Sequence, residues 1–328
     1  MSVLILNQQE IERLLPMADC IRLMRDALRS LARGEMTQPL RMVISPPGAK
    51  GLLGLMPAHK ASEPAAYGVK VIGVFPDNPA RGLDAHQGSV ILLSGETGEV
   101  MALMNASAIT AIRTAAVSGV ATALLAREDA SDLAIIGSGV QAHTHLEAMA
   151  CVRPLKRARV VSRRFANAQR LAEAMQARYA FPIEAVETVE AAVRGADVIV
   201  AATSSREPVI QREWVAPGAH LNVVGASVPA AREVDSATMA AASLFVDRRE
   251  STLNESGDYL MALRDGAIGP DHIRAEIGEV LIGNKPGRTF AAEITLFKSL
   301  GLAVEDLASA VYLYRQAQER QVGTWVEY

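Results

Sequence analysis

The chain has 328 residues, 50% of them hydrophobic and 21% charged, with a formal net charge of −3. That length and balance fit a globular protein of about two domains, and no long block of Lys and Arg marks nucleic acid or an anionic membrane as a partner, so a small molecule is expected instead. The two cysteines, Cys20 and Cys151, match neither a disulfide framework nor a metal-ligand pattern, and the N-terminus reads as neither signal nor transit peptide, so a cytoplasmic location is expected.

Asn7-Gln8-Gln9-Glu10 has the form of a capping box, and apolar positions at helical spacing continue to Gly34, so the chain is expected to open with two helices. From Leu40 to Val100 short apolar runs (RMVIS, GLLGLM, YGVKVIGVF, SVILLS, EVMAL) alternate with Pro, Gly and Asn. Gly95-Glu96-Thr97-Gly98 between the last two is a hairpin signal, and an antiparallel sheet follows. Asn105 to Ala126 reads as one Ala-rich helix with Arg113 and Thr114 inside it; its apolar part, Ala115 to Ala126, is shorter than the about 20 residues a bilayer needs. Beyond it DLAII, ARVVS, IEAV, DVIVAA, HLNVV and SLFVD alternate with amphipathic stretches, the rhythm of a parallel sheet with crossover helices. Val304 to Gln321 is a final amphipathic helix, ending in Thr324-Trp325-Val326.

One loop carries the chemistry. In AIIGSGVQAHTH, residues 134 to 145, a strand breaks at Gly137-Ser138-Gly139 and resumes as a helix through Val140, Gln141 and Ala142. Gly137 permits the tight turn, Gly139 lets a pyrophosphate approach the backbone, and Ala142 lets helix and strand pack closely. The N–H groups at the helix N-terminus then face the phosphates. The second strand ends in Ser162-Arg163-Arg164, where an NAD site usually presents Asp or Glu to the ribose. Two guanidiniums and a hydroxyl suit a 2′-phosphate, so NADPH is the expected cofactor and NADH the second choice. The six histidines include no HExxH pattern, and His143 and His145, two apart, are expected on the helix surface or against the cofactor loop, so no metal site is expected.

Ordered stretches along the chain resemble the ornithine cyclodeaminase/mu-crystallin family: LMPAH at 55 to 59, YGVKVI at 67 to 72, AHQG at 85 to 88, IRTAAVSG at 112 to 119, GSGVQA at 137 to 142, PGAHLNVVGAS at 217 to 227, NESGD at 254 to 258 and FKSLGLAVEDL at 297 to 307. The resemblance implies an α/β protein: a Rossmann domain over 116–302, and an α+β substrate-binding and dimerisation domain built from both chain ends, 1–115 with 303–328. It implies a homodimer, a substrate carboxylate held by Arg41, Lys70 and Arg113, and further cofactor contacts at Thr114, Thr203, Val224 and Gly225. Independently, cations set in apolar strand or helix contexts need anionic partners, and Arg suits a bidentate carboxylate.

Two departures separate this chain from the cyclodeaminases it resembles. Those carry Glu where this sequence has Gly54 and Asp where it has Ser227, acids that would handle an amine and released ammonia. Gly54 and Ser227 resemble the ketimine reductase, or pyrroline-2-carboxylate reductase, branch. The expected reaction is therefore NADPH-dependent reduction of Δ1-pyrroline-2-carboxylate or Δ1-piperideine-2-carboxylate to L-proline or L-pipecolate. The candidate catalytic groups are Lys70 and His86 as proton donors, Glu255 as a further donor or loop-ordering residue, and Ser227 as a hydrogen-bonding partner of the imine or nicotinamide amide. The alternatives are an NAD-dependent ornithine cyclodeaminase, an alanine or N-alkyl amino acid dehydrogenase, and a ligand-binding protein without turnover.

Overall fold

The computed structural model describes Ser2–Glu327; the expected domain limits at residues 1 and 328 lie outside the described residues. The chain begins with a strand, β1 (Ser2–Leu6), which corrects the expected helical start. Its apolar run pairs in a sheet before the Asn7 capping box opens α1 (Gln8–Leu14). Then follow α2 (Met17–Ala32), β2 (Met36–Thr37), β3 (Met42–Ile44), β4 (Leu52–Lys60), β5 (Ala66–Val74), β6 (His86–Ser94), β7 (Val100–Asn105) and α3 (Ala106–Leu125). The second stretch comprises β8 (Asp132–Ile136), α4 (Val140–Val152), β9 (Arg157–Val161), α5 (Phe165–Gln176), β10 (Ile183–Ala185), α6 (Val189–Val193), β11 (Val198–Ala201), β12 (His220–Val223), α7 (Ser236–Ala241) and β13 (Ser243–Val246). It continues through α8 (Arg249–Glu255), α9 (Gly257–Arg264), β14 (Ile273–Glu276), α10 (Ile277–Leu281) and β15 (Thr295–Lys298). The chain closes with α11 (Ala303–Arg320) and β16 (Thr324–Glu327), a strand where only an apolar tail had been read.

Two compact units result, residues 1–113 with 301–328, and residues 114–300, each division two residues before the expected one. In the first unit eight strands form a mixed sheet ordered β16-β1-β7-β6-β5-β4-β2, with β3 also paired to β4. The β4–β7 meander is antiparallel and β1 runs parallel to β7. Helix α2 buries Met17, Cys20, Ile21, Met24, Ala27, Leu28 and Leu31, one stripe at helical spacing. It packs with α11, which lies across β4, β5 and β6. Gly68 permits the close approach: a Cβ there would stand 2.9 Å from Leu307 Cδ1.

The second unit is an all-parallel sheet in the order β10-β9-β8-β11-β12-β15-β13-β14. Strands β11, β12 and β15 are buried at every position; β11 is accordingly a continuous apolar run, while β12 and β15 also bury His220, Asn222, Thr295 and Lys298. The strand order reverses between β8 and β11, and in such sheets ligands bind beyond the carboxyl ends of the strands at that point. Helix α3 is long and apolar enough to cross a bilayer, but 78% of its most apolar window is buried in the fold, as in a core helix.

Candidate functional site

In the first unit, Lys70 occupies the middle of β5 on the face shared by Ala66, Gly68 and Ile72, and is 2% exposed. Strand alternation therefore aims a cation at α11. The first turn of α11 carries Glu305 and Asp306, where the positive end of the helix dipole favours carboxylates. Lys70 Nζ lies 2.7 Å from Asp306 Oδ2 and donates to Thr110 Oγ1 at 3.3 Å. Arg113, from α3, donates through Nε to Asp306 Oδ1 at 3.1 Å and through Nη1 to Glu305 Oε2 at 2.8 Å. Arg41, half-buried, donates through Nη2 to the Gly301 carbonyl at 3.2 Å. Gly301 has φ +80°, and a Cβ there would meet Arg113 Nη1 at 2.6 Å, so the glycine makes the room in which the guanidinium sits.

Three basic and two acidic side chains thus gather at the N-terminal turn of one helix. Burial lowers the Lys70 ammonium from its ordinary value to about 8; Asp306 opposes the shift, and Arg113 and Arg41 add to it. Burial alone would raise Asp306, but Arg113 and Lys70 outweigh it and hold the carboxyl below its usual range. Cys20 of α2 faces the same charges, and burial raises its thiol pKa well above the ordinary value. His86, at the start of β6, is exposed; its imidazole is lowered by desolvation and by Lys70 and Arg113.

In the second unit, Gly137 has φ +125°, and a Cβ would stand 2.3 Å from the Ala202 carbonyl, so β8 can turn beside the end of β11 only with glycine. Gly139 caps α4 without a side chain, and a Cβ there would meet nothing within 4 Å. The space in front of the α4 N–H groups is therefore open, the cradle a pyrophosphate needs. Ala142 is fully buried, as the close helix–strand packing requires. Ser138 and Ser162 share a hydrogen bond, Oγ to Oγ at 2.7 Å, while Arg163 and Arg164 are exposed beside them. These residues fit a dinucleotide. Of the two places expected for His145, the helix surface and the cofactor loop, the surface is excluded. The residue is buried, with Nδ1 2.7 Å from the Gln141 carbonyl and Nε2 2.9 Å from Ser118 Oγ, so it joins the glycine-loop helix to α3. Burial lowers its pKa to about 4; the ring is neutral, donating from Nδ1 and accepting at Nε2.

The other expected positions gather at the ends of β11 and β12. Thr203, Val224 and Ser227 are half-buried, Gly225 is exposed, and buried Thr114 begins the unit within α3. Glu255 is half-buried at the end of α8. Holding these loops is a group the motifs did not reveal. Glu233, fully buried, accepts from Thr203 N–H at 2.7 Å, Thr203 O–H at 2.8 Å, Gly225 N–H at 2.6 Å and Ala226 N–H at 3.3 Å. Asp258 accepts from the Glu233 and Val234 N–H groups and pairs with Lys298 Nζ at 2.9 Å, and Lys298 also donates to the Ala226 carbonyl at 2.6 Å. Burial raises the Glu233 carboxyl; Lys298 opposes this and Asp258 adds to it.

Lys70 and Arg113, expected with Arg41 to hold a substrate carboxylate, also hold carboxylates of the chain itself: Lys70 pairs with Asp306, and Arg113 with Asp306 and Glu305. The signal was present in GLAVEDL, an acidic pair closely bracketed by apolar residues.

The family model for the ornithine cyclodeaminase/mu-crystallin family matches residues 1–321. Ketimine reductase mu-crystallin of Mus musculus is 41% identical over 281 residues, 86% of this chain and 85% of that protein. The structure of Thermococcus litoralis Δ1-pyrroline-2-carboxylate reductase in complex with NADH and L-proline matches with a TM-score of 0.96 at 40% identity, covering 98% of this chain and 99% of that one. An archaeal alanine dehydrogenase dimer with bound NAD matches over the whole of both chains, with a TM-score of 0.94 at 35% identity. Together with the parallel sheet, the glycine turn and the charged cluster on α11, these findings show that the chain belongs to the ornithine cyclodeaminase/mu-crystallin family.

Proposed function

We propose that the chain reduces a cyclic imine bearing a carboxylate, Δ1-pyrroline-2-carboxylate or Δ1-piperideine-2-carboxylate, to L-proline or L-pipecolate with NADPH. It is a nicotinamide-dependent oxidoreductase of the imine reductase and amino acid dehydrogenase kind. The observation that carries the reading is the gathering of Arg41, Lys70 and Arg113 around the first turn of α11, with a lysine whose pKa is about 8 among them. Guanidiniums fix a carboxylate in position, and a lysine so lowered holds a proton near neutrality that it can release.

The reduced nicotinamide, when bound, supplies the hydride for the imine carbon. The chain supplies the rest. Arg41 and Arg113 bind the carboxylate, and fixing it restricts the orientation of the ring. Lys70 Nζ holds the proton that passes to the imine nitrogen, leaving a secondary amine and a neutral lysine that is reprotonated from solvent. His86 is the weaker donor because its lowered pKa leaves it mostly neutral at pH 7. Ser227, beside Ala226 on the loop that Glu233 holds, is assigned the nicotinamide amide or the imine, and Glu255 a loop-ordering role. The cradle consists of Gly137, Ser138, Gly139, Val140 and Gln141, with Thr114, Thr203, Val224 and Gly225 as further contacts. Ser162, Arg163 and Arg164 are assigned the 2′-phosphate that distinguishes NADPH.

We also assign the chain to a cytoplasmic homodimer. Both cysteines are free thiols. Met42 is 59% exposed and Tyr67 50%, and with Val43, Ile44 and Leu53 they leave apolar side chains on β3, β4 and β5 open to solvent; the archaeal alanine dehydrogenase is a dimer.

The test is cofactor oxidation with each imine, using NADPH and NADH, with L-ornithine and with pyruvate plus ammonia or methylamine as parallel substrates. NADPH oxidation yielding proline or pipecolate is expected. Replacing Arg163 and Arg164 by Ala should raise the NADPH KM about tenfold, the loss of about 1.4 kcal/mol, and leave that for NADH little changed. Ammonia from ornithine with both imines inert would overturn the reading in favour of a cyclodeaminase. Faster turnover of pyruvate with an amine would overturn it in favour of an amino acid dehydrogenase.

A further inference from the structure

We infer that Asp306 is a positioning residue: its two carboxylate oxygens lock the Lys70 ammonium and the Arg113 guanidinium into one frame, coupling the proton source to the carboxylate clamp. This rests on the reading that Lys70 protonates a substrate nitrogen. The geometry is a bridge. Oδ2 lies 2.7 Å from Lys70 Nζ on β5 and Oδ1 accepts from Arg113 Nε on α3 at 3.1 Å, so one carboxylate on α11 fixes the separation of groups from two other elements. Lys70 has three N–H donors. Among the described residues Asp306 and Thr110 take two, which aims the third. Gly301 and Gly68 serve the same arrangement, the first by leaving room for the guanidinium and the second by letting α11 approach β5.

The charged and titratable surroundings give the bridge a second effect. Lys70 faces Asp306 on α11, Arg113 on α3, Arg41 before β3 and His86 on β6, while Glu305 on α11 pairs with Arg113 and the Cys20 thiol of α2 feels both of these charges. Burial, Arg113 and Arg41 all favour the neutral amine; Asp306 is the opposing influence in direct contact. Without its charge the lysine loses its proton at lower pH. A proton donor acts only while protonated, so imine reduction falls as pH rises through the Lys70 pKa, near pH 8 in the native chain.

The experiment compares the native chain with Asp306→Asn, Asp306→Glu and Glu305→Gln, measuring imine reduction against pH. In parallel, calorimetry follows the binding of pyrrole-2-carboxylate, a planar carboxylate that accepts no hydride, against pH. Asp306→Asn should move the alkaline limb of kcat and the alkaline loss of pyrrole-2-carboxylate affinity down together by about one unit or more, a tenfold change in the protonation equilibrium. It should also raise the imine KM while leaving NADPH affinity as it was. Asp306→Glu should restore both pH midpoints and keep the raised KM. Glu305→Gln should weaken carboxylate binding with less than half the pH shift. An Asp306→Asn chain that binds NADPH normally and keeps the native midpoints in both measurements would overturn the inference, as would failure of the native chain to bind pyrrole-2-carboxylate. If the native chain reduces neither imine but its binding midpoint still moves with Asp306→Asn, the bridge stands and the imine reductase reading falls.

Discussion

The two units each bury a cluster of charges, and the clusters are built in opposite ways. In the first unit three basic side chains, Arg41, Lys70 and Arg113, stand with two carboxylates, and Lys70 and Arg113 are held by other side chains. In the second unit one basic side chain, Lys298, stands with two carboxylates, Glu233 and Asp258, whose oxygens are largely taken by backbone N–H groups. Carboxylates bonded to backbone fix where loops run; cations held by side chains set a local charge that an incoming anion can meet. The contrast separates a scaffold from the binding device proposed for the first unit, although both combine acids with buried lysine.

The largest loss of stability is expected for Lys298→Met. Lys298 and Asp258 are both fully buried, and removing the cation leaves Asp258 without its 2.9 Å partner next to a second carboxylate. Breaking such a buried pair costs about 3–5 kcal/mol, read as a loss of melting temperature or denaturant midpoint. A loss below about 1 kcal/mol would mean that the backbone N–H groups alone carry both carboxylates. Next in size is Gly301→Ala. A Cβ 2.6 Å from Arg113 Nη1, at φ +80°, must displace the guanidinium and costs about 1–2 kcal/mol for the backbone conformation. The imine KM should rise while NADPH binding is unchanged. An unaltered KM would show that Arg113 has no part in substrate binding.

Much of this was readable in the sequence, and what was not shares a cause. Strands β8, β9, β11 and β12 announced themselves as apolar runs between helical stretches, and the glycine loop by its position between strand and helix. β1 and β16 did not, because each is a short run at a chain end whose meaning comes from pairing with the other, Ser2 opposite Glu327. Nor did periodicity disclose that β15, late in the chain, inserts between β12 and β13. The cations were conspicuous because a lysine in the middle of an apolar strand demands an anion. Their partners were not, because Glu305 and Asp306 lie some 190 residues from Arg113 and read locally as acids in the first turn of an amphipathic helix. Glu233 was hidden in the same way: nothing local distinguishes a glutamate that gathers loops from two other strands.

The smallest effect on stability is expected for Arg41→Leu. Arg41 is half-buried, whereas Lys70 and Arg113 are each under 5% exposed, and its side chain donates to the Gly301 carbonyl. Losing a hydrogen bond donated by a charged group costs about 1.5–3 kcal/mol, and a leucine regains part of that by covering apolar surface. The net loss of stability should therefore be about 1 kcal/mol. Carboxylate binding should fall as well. A charge-assisted contact contributes about 1.5–3 kcal/mol, so the imine KM should rise tenfold or more at nearly constant kcat, because Lys70 keeps its partners. If Arg41→Leu instead unfolded the chain as Lys298→Met does and left KM untouched, the first cluster too would be scaffold, and the substrate carboxylate would have to be held elsewhere.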